Sequence, residues 1–131
     1  MIRPRAALRL VLAAVLSALI ACEAAPPSIE ATTALAETGD TRGPYQVDAV
    51  VTGLVGGDTV ELFHAAGEDA PFTAQVMTGD DSGERFVAAI PGQPAGTAIR
   101  YFVAVQRDGQ RLDSDPPAAE DGPYSFVIAA P

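Results

Sequence analysis

Apolar side chains return at every second position in a series of short runs, and glycine, proline and aspartate punctuate the gaps between them. Tyr45, Val47, Ala49 and Val51 share one face of the segment Tyr45–Thr52. In Thr59–His64, Val60, Leu62 and His64 lie on one side, and Thr59, Glu61 and Phe63 on the other. Phe72–Met77 alternates in the same way. The strongest signal is Phe86–Ile90 followed by Thr97–Gln106, where Phe86, Ala88 and Ile90, then Ile99, Tyr101, Val103 and Val105, alternate around a Pro91-Gly92…Pro94…Gly96 corner. A period of two is that of a pleated strand whose successive side chains face opposite ways, so both sets can close on one core between two sheets.

Shorter pieces complete the pattern. Ser28–Thr32, after Pro26-Pro27, reads as an opening edge strand, where prolines are tolerated. Thr33–Arg42 is polar and aperiodic and reads as a loop. Residues 53–58 (GLVGGD), 65–71, 79–83 (GDDSG), Asp108-Gly109 and 114–122 (SDPPAAEDG) carry turn chemistry. Arg111–Asp113 can return beside the preceding strand, and Tyr124–Ile128 closes the sheet; whether these are one interrupted strand or two stays open. Beyond residue 21 no segment keeps a helical period. Short strands with turn signals at intervals of roughly 8–12 residues predict an all-β chain, a single seven-strand sandwich over residues 28–131.

The first 21 residues follow a different pattern. Arg3, Arg5 and Arg9 precede the apolar run Leu10–Ala21. At 12 residues that run is shorter than the about 20 needed to span a bilayer, and it predicts a signal helix. The run ends in Leu19-Ile20-Ala21-Cys22, which resembles the lipobox of bacterial lipoproteins. The resemblance implies that Ala21 lets a signal peptidase reach the bond before Cys22. Cys22 then becomes the acylated amino terminus, with residues 22–27 a short tether to the domain. Several acyl chains would hold the chain stably on a membrane, at about 0.8 kcal/mol per buried CH₂. An ordinary secretory signal with an incidental cysteine is the alternative. Glu23, in place of an aspartate after the cysteine, points by the same resemblance to the outer membrane of a bacterial envelope.

Charge narrows the partners. All eight basic residues are arginines, and three of them lie in the leader. Without it five arginines face 17 acids, a formal charge of −12. Such a surface repels phosphate backbones, so a nucleic-acid partner is not expected. The lone cysteine excludes an internal disulfide and a multi-cysteine zinc site.

Several motifs resemble fibronectin type III-like and immunoglobulin-like modules of bacterial secreted and cell-surface proteins. They are Pro26-Pro27-x-Ile29, Gly43-Pro44-Tyr45, Ile90-Pro91, Gly96-Thr97, Tyr101-Phe102, Asp108-Gly109 and Pro123-Tyr124-Ser125-Phe126. The resemblance covers residues 26 to about 129 and implies a scaffold rather than an activity. Tyr101 then has two readings, plain core packing or a tyrosine-corner role with its ring in the core and its hydroxyl on nearby backbone.

Three candidate sites follow. If Tyr101 and Val103 face inward, Arg100, Phe102 and Ala104 face outward. Phe63 points outward on a neighbouring strand, so Phe63 and Phe102 are expected side by side as a docking patch for protein or carbohydrate. The competing expectation is that Ser114–Gly122 covers them. Chain reversals gather Asp58, Asp80, Asp81, Glu84 and Asp108 toward one pole, a weak calcium candidate, since calcium takes six to eight oxygens; hairpin turn chemistry explains the same residues. His64 is the sole imidazole and is expected to be partly buried and structural. Ser82, Ser114 and Ser125 lack a placed base, so no enzyme is expected. The sequence therefore reads as a lipid-anchored envelope protein that binds, spaces or scaffolds an envelope protein or polysaccharide. An accessory module of a secreted enzyme system, or a small hydrolase, is the rival reading.

Overall fold

The computed structural model describes residues 25–130. The leader, its Leu19-Ile20-Ala21-Cys22 motif and the start of the tether lie outside these residues.

Within them the chain is almost entirely β. The strands are β1 (Ser28–Thr32), β2 (Tyr45–Thr52), β3 (Thr59–Ala66), β4 (Thr73–Val76), β5 (Thr78–Gly79), β6 (Arg85–Ile90), β7 (Ala98–Arg107), β8 (Gln110–Asp115) and β9 (Tyr124–Val127). One short 3-10 turn spans Ala119–Asp121. Two antiparallel sheets form, in the orders β1-β2-β6-β5 and β4-β3-β7-β8, with β9 also on β7. The alternating sets converge on one core. Tyr45, Val47, Ala49, Val51 and Ile90 come from the first sheet; Val60, Leu62, Ile99, Tyr101, Val103, Val105 and Phe126 come from the second. Burial of this apolar surface is what drives the two layers together.

The nine strands described differ in number from the seven expected, for two reasons. The expected single strand Phe72–Met77 divides at Met77, whose side chain is buried. There the chain leaves the β3 edge as β4 and joins β6 of the other sheet as β5. Likewise β7 is long enough to hold two neighbours on one side: Val103–Arg107 pair with β8, and Ala98–Tyr101 pair with β9. The last two pieces thus occupy one edge position, interrupted by residues 116–123.

Thr33–Arg42, expected as a plain loop, carries much of the closure. The Tyr101 hydroxyl donates to the Thr33 carbonyl at 2.7 Å and accepts from the Leu35 amide at 2.8 Å. These partners lie 68 and 66 positions upstream, so the tyrosine ties two distant parts of the chain instead of a nearby corner. Farther on, the Thr38 amide donates to Val127 and the Ala129 amide to Thr38. The Ile29 amide, freed where β1 slips register between Ile29 and Ala31, donates to the Asp113 carboxylate of β8 at 2.9 Å. These bonds tie the amino-terminal segment to β7, β8 and β9.

Candidate functional site

The β3–β7 register sets Phe63 directly opposite Phe102 on the outer face of the second sheet. Their rings stack with centroids 4.7 Å apart and planes 4° from parallel. Phe72, brought in by the turn before β4, meets Phe102 edge-on at 5.1 Å. The juxtaposition is the expected one, but the exposure is not. Phe102 is 0% exposed, as is Ala104, and Ala119 is 5% exposed; Phe63 and Phe72 are half-buried. The three phenylalanines and two alanines form a second, small core.

Its cover is the segment that interrupts β8 and β9. Residues 116–122 fold back over the sheet and seat the Ala119 methyl in the cluster. The Arg111 guanidinium lies 5.2 Å from the Phe63 ring centre and 5.1 Å from that of Phe102, a cation–π contact to both. Glu120 holds it there through bonds of 2.8 and 3.3 Å. Across the cluster Arg100 stands 4.6 Å over Phe72 and donates to the Gly67 and Ala70 carbonyls. A solvent-facing Phe63/Phe102 docking patch is thus corrected: Phe102 is fully buried and Phe63 half-buried, because a proline-rich turn and Arg111 cover the pair.

The acidic pole does not converge either. Asp58 is engaged by Arg107 through Nε at 2.7 Å and a second nitrogen at 2.8 Å, and also accepts from the Val55 amide. Those bonds, Arg107 first, hold its carboxyl down at about 2. Asp80 instead organises its own hairpin, accepting from the Ser82 hydroxyl and amide. Asp81, Glu84 and Asp108 lie at exposed turn positions. Among the described residues no group of three histidine, cysteine, aspartate or glutamate side chains is placed to hold a metal ion. Of the five expected at the pole, Asp58 is taken up by Arg107 and Asp80 by its own turn.

His64 stands opposite Tyr101 on the core-facing side of β3 and is half-buried, and burial lowers its pKa. Burial, then a 3.0 Å bond to Asp115, pushes the Tyr124 hydroxyl up to about 12. Ser114 bonds the Pro116 and Pro117 carbonyls, and Ser82 supports its own turn. The Ser82 hydroxyl donates to the Asp80 carboxylate within that turn.

What residue-by-residue reasoning missed is the outer edge at β4. Gln75, on the core-facing side, donates its amide to the Ala89 carbonyl of the opposite sheet at 2.7 Å and holds β4 at the rim. Ala74 and Val76 face the other way, beside Phe63 and Glu61, and Val76 is 62% exposed. The readable signal was the absence of any lysine or arginine between Arg42 and Arg85. No family model matches the chain, and no curated protein matches it.

Proposed function

We propose that the chain is a bacterial envelope lipoprotein, anchored through acylated Cys22. Its fibronectin type III-like or immunoglobulin-like sandwich binds, spaces or scaffolds another envelope component without chemistry of its own. The observation that carries the anchor is the cysteine placed directly after a 12-residue apolar run and an aliphatic-aliphatic-small triplet. Two features support the module. The strand orders β1-β2-β6-β5 and β4-β3-β7-β8 correspond to A-B-E-D and C′-C-F-G of an immunoglobulin-like sandwich. The first strand begins at Ser28, so five residues separate it from Cys22 and the domain would sit close to the lipid. Among the described residues no helix is long and apolar enough to cross a membrane.

Acyl labelling tests the anchor. Expressed in a bacterium fed an alkyne fatty acid, the full chain should take up label and sediment with membranes, whereas Cys22→Ala should do neither. An unlabelled wild-type chain would remove the anchor from this reading. Retrieval from envelope extract with Cys22 intact tests the scaffold role, through one component recovered reproducibly.

A further inference from the structure

The two long sides of the molecule are finished differently. Beside β8 the Asp113 side chain takes the Ile29 amide of β1, and beside β9 Thr38 exchanges backbone bonds with Val127 and Ala129. Beside β4 nothing comparable occurs. The Met77 amide donates to the Val60 carbonyl at 2.8 Å, so Val60–Met77 is a hydrogen-bonded pair of the β3–β4 register. By the alternation of antiparallel ladders, Gln75 and Thr73 then also bond β3, and the N–H and C=O groups of Ala74 and Val76 point away from the sheet. Among the described residues no hydrogen bond reaches those outward groups. β4, Thr-Ala-Gln-Val, has no charge, proline or bulge of its own, and such features are what normally blunt an open edge.

The side chains beside this edge specify what fits. Val76 and Ala74 flank half-buried Phe63 and Glu61 on the outer face. Glu68 and Asp69 precede the strand; Asp80, Asp81 and Glu84 follow it. The ion pairs among the described residues are Arg85–Asp48, Arg107–Asp58 and Arg111–Glu120, and none uses Glu61, Glu68 or Asp69. A second copy of the chain is a poor occupant. Each copy carries a formal −9, and four-residue strands of about 14 Å bury far less than the about 1,200 Å² of a stable interface.

We propose that the β4 edge is a strand-addition site for an extended cationic segment of a partner polypeptide. Backbone groups of that segment pair with Ala74 and Val76, an apolar side chain rests on Val76 and Phe63, and a lysine or arginine reaches Glu61. This names the chemistry of the partner in the binding role proposed above and rests on that reading.

The test uses the full chain in detergent micelles and a fluorescent peptide, acetyl-Lys-Val-Thr-Val-Lys-Val-Arg-amide, titrated by anisotropy. A twin methylated on every backbone nitrogen keeps the charge and loses the donors. The expected result is saturable binding of the parent, weakened at least tenfold for the twin and for Ala74→Pro. Proline at residue 74 removes an outward N–H and leaves the β3 ladder intact. Val76→Lys should weaken binding as much, and it carries the same test if Ala74→Pro fails to fold. In amide-exchange spectra, residues 74 and 76 should gain protection on binding. Equal affinity for the methylated twin, unchanged affinity of both variants, no binding, or self-association through this edge in sedimentation would each overturn the proposal. The titration and the acyl labelling fail separately, because the edge can be read whether or not Cys22 is modified.

Discussion

Truncating Phe102 to alanine separates an internal cluster from a binding patch. The ring is fully buried, stacked at 4.7 Å on Phe63 and met edge-on by Phe72 at 5.1 Å. Removing a buried phenylalanine costs about 3–5 kcal/mol, with the higher values where the surroundings cannot relax. Here the cover is a surface turn, and Arg111 and Ala119 can settle part of the way into the space, so the lower figure, about 3 kcal/mol, applies. For a domain of this size that lowers the melting temperature by roughly 12 °C or more. Phe63→Ala, at a half-buried position, should cost roughly half as much, about 1.5 kcal/mol. Phe102→Leu, which keeps most of the volume, should stay below about 1.5 kcal/mol. The chain has no tryptophan, so urea unfolding is best followed by far-ultraviolet circular dichroism alongside tyrosine fluorescence. If Phe102→Ala and Phe63→Ala both stay within about 0.5 kcal/mol of wild type, as open-surface substitutions do, the ring is not a structural element and the assignment fails.

Other expectations follow from the same geometry. Tyr101→Phe removes a hydroxyl that makes two backbone bonds, at about 1 kcal/mol each. It should lower stability by about 2 kcal/mol in urea unfolding and selectively speed amide exchange at Leu35. Gly92→Ala would drive a Cβ into the Arg42 carbonyl oxygen, a backbone clash that should cut the yield of folded protein. Asp58, with its carboxyl depressed from 3.8 to about 2, contributes stability that is complete above pH 3.8 and is lost as pH falls toward 2. Asp58→Asn should flatten that part of an acid-unfolding curve, though not abolish it, since Asp48, Asp80 and Glu120 are depressed in the same sense. Tyr124 is shifted up from 10 to about 12, so its contribution holds below pH 10 and is lost as pH rises through 12. Tyr124→Phe should make alkaline unfolding shallower in that window.

The strands were legible because burial repeats every two residues. Ser28–Thr32 and Tyr45–Thr52 match their expected bounds, and β3, β6, β7 and β8 differ from theirs by one or two residues at an end. The alternation also set Phe63 beside Phe102, since facing positions in a ladder share a side. It could not say what lies above them. The cover depends on Ala119, a residue with φ 48° in an otherwise unremarkable turn, and on an arginine–glutamate pair formed only once the turn folds back. The long-range closures are opaque for the same reason. Asp113 with Ile29 and Tyr101 with Thr33 are bonds between a side chain and a main-chain group, and since every residue carries those groups the main-chain partner has no sequence signature. The β4 edge falls between these cases, because a cation-free stretch is visible in the chain, but which amides face outward follows only from the register.

The succession of bonds along the amino-terminal side also determines how the domain would bear a mechanical load. A pull directed along β1 from residue 25 meets the β1–β2 ladder, then Asp113 on Ile29, then the tyrosine grip on Thr33 and Leu35. These lie across the pulling direction and must shear as a group, whereas a sideways pull would peel them open singly. Force applied along β1 would therefore meet the sturdier of the two responses, and the amino-terminal strand would act as a rivet that keeps the rest of the fold in register under tension.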